Sequence, residues 1–126
     1  MQFKGRRQGR HKGQGRQRRM LGFLQPCLLV QLYEQDSHGY DLLQGLVQFV
    51  KNAEEYDPSV IYRVMRDMES EGWVDSYEGT VSRGPRRRMY RLNPEGKKRM
   101  ECWISDLQKA RYEIDNLLAV YSRQKK

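Results

Sequence analysis

Four polar side chains recur at helical spacing in the middle of the chain. They follow the steps i, i+3, i+4 and i+7, and they are Ser59, Tyr62, Arg63 and Arg66. This spacing gathers a hydroxyl, a phenol and two guanidinium groups on one side of a helix. Because a guanidinium group is a fixed fork of N–H donors, it can pair with O6 and N7 of guanine or with two phosphate oxygens. The pattern predicts a surface that contacts a polyanion.

A second arginine cluster follows this helix and consists of Arg83, Arg86, Arg87 and Arg88. The surrounding residues 73–92 contain β-branched and aromatic residues on both sides of a loop with two glycines and a proline. This composition predicts a β-hairpin whose tip and return strand carry the arginines. Alternation along the return strand places Arg86, Arg88 and Tyr90 on one face and Arg87, Met89 and Arg91 on the other. One of these faces must be solvated or bind a polyanion.

Each of these features also has a purely structural interpretation. Arg63 and Arg66 could form a solvated helix face that pairs with nearby carboxylates, and the candidates are Glu55, Asp67 and Glu69. The arginines of the return strand could be edge-strand charges that prevent aggregation. Tyr62 could pack against the hairpin instead of contacting a ligand. The sequence alone does not decide between these interpretations and a role in binding.

The helix that carries the first four residues has clear ends. Asp57 suits the N-cap position and Pro58 suits the first helical position, while Gly72 suits the position after the last turn. Its apolar stripe consists of Ile61, Val64, Met65 and Met68. The sequence therefore predicts a helix with a buried face and a separate polar face.

Two shorter helices are predicted before it. The first is a buried helix that begins at Pro26 and ends near Gln35, and the second covers residues 39–50. Within this region, His38 and Tyr40 are predicted to serve packing and the start of the second helix. The two cysteines, Cys27 and Cys102, fall in predicted helix interiors and are expected to be buried thiols.

A long helix is predicted at the end of the chain. Asn93 and Pro94 form its start, and about 30 residues follow without a helix breaker. At 1.5 Å per residue it is ~45 Å long, more than a small body can cover, so we expect it to pair with the same helix of a second copy. The predicted dimer interface is Met100, Trp103, Leu107, Ile114, Leu117 and Tyr121. Trp103 has the alternative role of an aromatic surface for a bound effector.

The charge distribution separates the N-terminal segment from the rest. The chain has 126 residues and a net charge of +8, and the first 20 residues hold eight Lys and Arg without any acidic residue. We predict a disordered basic tail over residues 1–20, one small domain over 21–92 and a dimerisation helix over 93–126. The predicted phosphate contacts of the tail are Arg6, Arg7, Arg10, Arg16, Arg18 and Arg19.

Several function classes are excluded by what the sequence lacks. His11 and His38 have no metal-ligand spacing with either cysteine, and no nucleophile is placed beside a base. We therefore expect neither an enzyme nor a cofactor or metal. No apolar run reaches the ~20 residues that span a bilayer, so a cytoplasmic protein is expected. The basic tail alone would also suit an RNA- or ribosome-associated protein, and this alternative stays open.

The predicted elements, three helices followed by an arginine-rich hairpin, have the order of a winged helix-turn-helix domain. The predicted fold class is mainly α with a small β-hairpin wing, an α+β arrangement. In this architecture the third helix enters the major groove of DNA and the wing lies along the backbone. The predicted DNA-binding residues are therefore Ser59, Tyr62, Arg63, Arg66, Arg83, Arg86, Arg87 and Arg88.

Three segments also resemble, in order and spacing, the conserved blocks of the PadR family of transcriptional regulators. They are "HGYDLLQGL", "DPSVIYRVMRDMESEGWVDS" and "GPRRRMYRLNPEGKKRM", and the resemblance covers roughly residues 21–100. It implies a winged-helix homodimer, most often a repressor, that is held together by its C-terminal helix and binds an inverted-repeat operator. It also implies a response to a small-molecule effector, such as a phenolic acid or a drug, at or near the dimer interface.

Overall fold

The computed structural model describes residues 12–79 and 87–125, with side chains from Phe23 onward. These residues form α1 (Lys12–Glu34), β1 (Ser37–His38), α2 (Gly39–Gly45), α3 (Pro58–Ser70), β2 (Val74–Glu78), β3 (Arg88–Leu92) and α4 (Pro94–Gln124). Two short 3-10 turns, Leu46–Gln48 and Ala53–Glu55, connect α2 to α3. The predicted fold class is confirmed, because the chain is mainly helical with a small antiparallel sheet.

The sheet has one strand more than the predicted hairpin. Its strand order is β1-β3-β2, and both pairs are antiparallel. In the hairpin, Val74 pairs with Leu92 and Glu78 pairs with Arg88. On the other side of β3, Ser37 pairs with Tyr90. The added strand holds the start of α2 beside the arginine-bearing strand β3.

Helix α3 forms as predicted. The Asp57 carboxylate accepts the backbone N–H of Ser59 at 3.0 Å, and Pro58 occupies the first turn. At the other end Gly72 has a φ of +85°, and the N–H of Trp73 donates to the carbonyl of Met68 at 3.0 Å. This is a Schellman termination, which a glycine in the left-handed conformation allows. The four residues of the predicted apolar stripe are all buried.

One core holds the described elements together. Its fully buried side chains come from α1, α2, the turn after it, α3 and β2, and they are Leu24, Leu28, Leu29, Leu42, Leu46, Ile61, Met65, Met68 and Val74. The first turns of α4 contribute Met100 to the same core. No charged residue is buried within the described part of the chain. The polar face of α3 therefore lies at the surface.

Helix α1 differs from the prediction. It begins at Lys12 and contains Pro26 in its interior, so Pro26 does not begin the helix. Residues 12–20, which were predicted to belong to a disordered tail, are helical. An interior proline costs about 3 kcal/mol of helix stability. Pro26 is buried, and the next two residues along the helix, Cys27 and Leu28, belong to the core. Residues 1–11 lie outside the described part of the chain.

Helix α2 is shorter than the predicted span of 39–50. It ends at Gly45 and continues only as the 3-10 turn Leu46–Gln48. A Cβ atom at Gly45 would lie 2.0 Å from Oε1 of Gln31 on α1. The glycine thus allows the two helices to approach closely, and Gln31 donates from Nε2 to the carbonyl of Leu42 at 3.1 Å.

Helix α4 has the predicted start, since the Asn93 side chain accepts the backbone N–H of Gly96 at 2.8 Å. Cys27 is buried as expected, but Cys102 on α4 is exposed, so that prediction was wrong for the second thiol. Cys102 lies on the solvent side of the helix that buries Met100. Among the described residues, no helix is long and apolar enough to cross a membrane.

Candidate nucleic-acid interface

An open groove of about 650 Å³ lies between α3, β3 and the junction of β1 with α2. Its walls consist of His38, Gly39, Tyr40, Tyr62, Arg66, Glu69, Arg87, Arg88 and Tyr90. Four of the eight predicted DNA-binding residues are therefore brought together: two from α3, Arg88 from β3, and Arg87 from the position just before β3. Ser59 and Arg63 lie on the same helix outside the groove walls, and both are exposed. Arg83 and Arg86 lie outside the described residues.

The polar face of α3 is held outward by its buried stripe. Arg63 and Arg66 are exposed, and neither forms a hydrogen bond or an ion pair within residues 12–79 and 87–125. The ion pairs with Glu55, Asp67 or Glu69 that the sequence left open are thus absent from the described structure. Two exposed guanidinium groups without an anionic partner form a surface suited to a polyanion.

Tyr62 packs against the start of α2. A Cβ atom at Gly39 would lie 2.2 Å from Cε1 of Tyr62, so the ring lies directly on the glycine. Tyr62 is still 37% exposed and forms part of the groove wall. The ring is therefore fixed by α2 while one part of it faces the groove.

Arg88 connects β3 to α3 through a side-chain network. Its Nη1 donates to Oγ of Ser76 at 2.9 Å, and that hydroxyl donates to Oε2 of Glu69 at 2.6 Å. Nη1 of Arg88 also lies 4.0 Å from Oε1 of Glu69. Glu69 is the acidic residue of the groove walls, and this network offsets its charge. Arg88 therefore forms an ion pair with Glu69 of α3, although the Arg88 side chain is 62% exposed.

Tyr90 lies on the same face of β3 as Arg88, as strand alternation predicts, and it is buried. Burial raises the pKa of the Tyr90 hydroxyl above its ordinary value, while the neighbouring Arg88 acts in the opposite direction. The phenol therefore stays neutral at physiological pH and adds no negative charge to the groove.

His38 and Tyr40 belong to the groove although the sequence analysis gave them no role in binding. The helix-start role of His38 is confirmed, since its Nδ1 accepts the backbone N–H of Asp41 at 3.3 Å. Its Nε2 lies 3.0 Å from Nη1 of Arg87. The ring of Tyr40 stacks beside that of His38, with the ring centroids 6.5 Å apart. No local sequence signal indicates the contact with Arg87, because the two residues are 49 positions apart.

The predicted dimer residues divide into two groups along α4. Met100 is 6% exposed and Trp103 packs against the core, so Met100 belongs to the interior of its own chain and leaves little surface for a second copy. Trp103 also shares the guanidinium of Arg99 with Trp73, at 5.2 and 4.9 Å from the two ring centroids. The later residues are exposed: Ile114 by 53%, Leu117 by 66% and Tyr121 by 57%. Leu107 lies between the groups and is half-buried.

The tail arginines fall at or beyond the edge of the described structure. Arg6, Arg7 and Arg10 lie outside it. The backbone at positions 16, 18 and 19 is part of α1, and the structure does not describe the side chains there. Their predicted phosphate contacts stay a prediction.

Comparison with known proteins identifies a family for the chain and solved structures with a similar fold. The model of the transcriptional regulator PadR-like family matches residues 28–102. A PadR family transcription regulator from Clostridium difficile superposes with a TM-score of 0.67 at 23% identity, over 76% of this chain and 98% of that one. Bacillus subtilis PadR in complex with operator DNA superposes with a TM-score of 0.57 at 22% identity, over 65% of this chain and 46% of that one. An uncharacterised protein of Lysinibacillus sphaericus is 26% identical over 100 residues, which are 79% of this chain and 88% of the relative.

Proposed function

Because the chain belongs to the PadR-like family of transcriptional regulators, we propose that it binds a specific DNA operator as a homodimer and represses transcription. The observation that carries this proposal is the outward face of α3, where Arg63 and Arg66 are exposed and unpaired within the described residues. The fold it shares with Bacillus subtilis PadR, which was crystallised with operator DNA, supports the same class of ligand.

In the proposed complex, α3 enters the major groove of DNA. Arg63 and Arg66 donate to base edges there, and Ser59 and Tyr62 donate to bases or phosphates. The arginines of β3 and of the adjoining loop follow the DNA backbone, which includes the predicted contacts of Arg83 and Arg86. The tail arginines add affinity that does not depend on sequence, because they neutralise phosphates and release counterions.

The dimer of the proposal is formed through α4. This helix has 31 residues, so it is about 46 Å long, and its second half exposes leucine, isoleucine and tyrosine side chains. A second copy of α4 covers this apolar surface most simply, since an isologous dimer presents the same surface twice. Two recognition helices then read half-sites about 34 Å apart, which an inverted repeat supplies.

Release by a small-molecule effector is the last part of the proposal. An effector lowers operator affinity only by the amount by which it binds one arrangement of the two DNA-binding heads more tightly than the other. In the proposal, the effector changes the angle between the two heads, and the pivot is the junction around residues 93–96. At this junction Asn93 donates from Nδ2 to the carbonyl of Gly72 at 3.0 Å.

Selection of binding sites from a random duplex DNA library tests the proposal. The full-length protein is expected to enrich an inverted repeat. Arg66→Ala is then expected to weaken binding to the selected site by about 1–3 kcal/mol and to relax the base preference at one position of each half-site. Arg111→Ala is the matched control, because Arg111 is an exposed arginine on α4, far along the chain from α3.

Two results would contradict the proposal. The first is a selection that enriches no motif, and the second is an Arg63→Ala, Arg66→Ala pair that leaves the base preference intact. A parallel selection from an RNA library addresses the alternative of an RNA-associated protein. Enrichment in that arm alone would replace the DNA proposal with the RNA one.

A further inference from the structure

Arg99 on α4 contacts two tryptophan rings that lie on different parts of the chain. Its guanidinium carbon lies 4.9 Å from the centroid of the Trp73 ring and 5.2 Å from that of Trp103. Trp103 follows Arg99 by about one turn of α4, whereas Trp73 directly precedes β2 and belongs to the head, the part of the chain before Asn93. The guanidinium therefore bridges the junction between the head and α4.

The same junction also holds the backbone of Trp73. The N–H of Asn93 donates to the carbonyl of Trp73 at 3.3 Å, and Gly96 lies so close to this oxygen that a Cβ atom would overlap it. Trp73 is thus attached to the start of α4 through its carbonyl and to the second turn through its ring. If α4 rotates relative to the head, Arg99 stays beside Trp103 on the same helix but leaves Trp73.

The polar groups around Arg99 argue against a role in stability alone. Nε of Arg99 and Nε1 of Trp103 are buried donors without an acceptor in the described part of the chain, and no carboxylate pairs with the guanidinium there. A buried donor without an acceptor lowers the free energy of unfolding. An apolar side chain of similar length would fill the space without this cost. Arginine adds a planar cation that two indole rings can hold together.

We propose that Arg99 is a positioning residue that fixes the direction in which α4 leaves the head, and that it thereby sets the spacing of the half-sites to which the dimer binds. The inference rests on the proposed function, in which the copies pair through α4 and each head carries one α3. Because the two-fold axis of such a dimer applies any change of this angle to both heads, a small rotation at the junction changes the distance between the two α3 helices.

Arg99→Met separates this role from a structural one. Methionine keeps the length of the side chain, but its flexible thioether has neither a charge nor a planar group. The variant is expected to melt within about 5 °C of the wild type, because the loss of the cation–π contacts is balanced by removal of the unpaired Nε donor. Lys98→Met is the matched control, since Lys98 is the neighbouring cation on α4 and its side chain is 74% exposed.

The spacing preference is measured on the duplex recovered by selection and on a series in which the spacer between the half-sites is changed one base pair at a time. The wild-type protein is expected to bind the selected spacing roughly 100-fold more tightly than the others, because both heads engage together only there. Arg99→Met is expected to reduce this ratio to about tenfold or less, since heads held less firmly also reach other spacings. Lys98→Met should keep the wild-type ratio.

Fluorescence without DNA tests the contact itself. The chain holds two tryptophans, so Trp73 is the remaining one in a Trp103→Phe background. In that background Arg99→Met is expected to shift the emission of Trp73 and to raise its quenching by acrylamide, whereas Lys98→Met should change neither.

Trp73→Leu tests the same contact from the head. It should relax the spacing preference as far as Arg99→Met does, and the double variant should relax it no further, because each change removes the same contact. Additive effects of the two changes would contradict this coupling.

A wild-type spacing ratio in Arg99→Met would overturn the inference. A large fall in melting temperature with that ratio unchanged would assign Arg99 a structural role only. Unchanged Trp73 fluorescence in Arg99→Met would equally contradict the contact across the junction. If the wild-type protein enriches no duplex, the proposed function fails and the inference about spacing fails with it, even where fluorescence shows the contact between Arg99 and Trp73.

Discussion

Tyr62 of α3 packs closely against Gly39, the first residue of α2. A Cβ atom at Gly39 would be 2.2 Å from Cε1 and 2.9 Å from Cδ1 of the tyrosine ring. Any larger residue at this position must therefore displace the ring. Because Tyr62 and Arg66 line the same groove, the glycine also determines the shape of the surface on which DNA binding is proposed.

Gly39→Ala is expected to destabilise the protein by about 1–3 kcal/mol, because the added methyl group overpacks the contact with Tyr62. It is also expected to weaken binding to the selected duplex. Urea unfolding and a binding titration measure the two effects. In a Tyr62→Ala background the ring is absent, so the same glycine change should cost almost nothing. An equal cost in both backgrounds would show that the two residues are not coupled.

The part of the fold predicted from sequence is the part determined by neighbours along the chain. The ends of α3 follow from Asp57, Pro58 and Gly72, and its buried stripe follows from helical spacing. Strand β1 has only two residues, and its partner β3 is about 50 positions away, so no local periodicity indicates it. The prediction that Pro26 begins a helix was wrong, because a proline that fits a first turn can also lie inside a longer helix.

Several residues of the candidate site could be predicted from the sequence, but the contacts between them could not. Tyr62 and Arg66 could be assigned from their spacing on one helix, and Arg87 and Arg88 from the composition of the hairpin. The sequence could not indicate which arginine is engaged. Arg88 contacts Ser76 on the neighbouring strand, and Arg87 meets His38 from the distant start of α2. These differences depend on the sheet that brings three separate segments together.

Gly96 holds α4 against the end of α3 and the start of β2. A Cβ atom there would lie 1.9 Å from the backbone oxygen of Trp73, which cannot move without shifting the chain. We expect Gly96→Ala to lower the free energy of unfolding by about 1–3 kcal/mol. Gly45→Ala is the matched control on another helix, since its contact is the far end of the Gln31 side chain rather than backbone.

The control is expected to be nearly neutral, because the lost hydrogen bond of Gln31 is balanced by the better helix propensity of alanine. Chemical unfolding of both variants at one temperature gives the comparison. Equal destabilisation by the two alanines would contradict the view that contact with backbone is what makes Gly96 necessary.

The two cysteines should react very differently. Burial raises the pKa of Cys27 to about 11, so its thiol stays protonated and shielded at pH 8, whereas Cys102 is exposed. Native protein treated with a maleimide at pH 8 is expected to take up one label per chain. Mass spectrometry of tryptic peptides should place it on Cys102, and Cys102→Ser should abolish labelling. Rapid labelling of Cys27 in the folded protein would contradict its burial in α1.

The exposed half of α4 gives the sharpest test of the dimer. Leu117 is 66% exposed within its own chain, so Leu117→Lys should leave the fold of that chain intact while it places a charge in the proposed interface. Sedimentation equilibrium is expected to show a dimer for the wild-type protein and a monomer for the variant, with unchanged helix content by circular dichroism.

Asn116→Lys adds the same charge one position away, outside the apolar stripe, and should stay dimeric. Met100→Lys should instead unfold the chain, because Met100 is buried in the core of its own protomer. A Leu117→Lys protein that sediments as a dimer would assign the interface to another surface. Since a monomer holds only one recognition helix, the same variant should also lose the preference for two correctly spaced half-sites while it keeps weak binding to one.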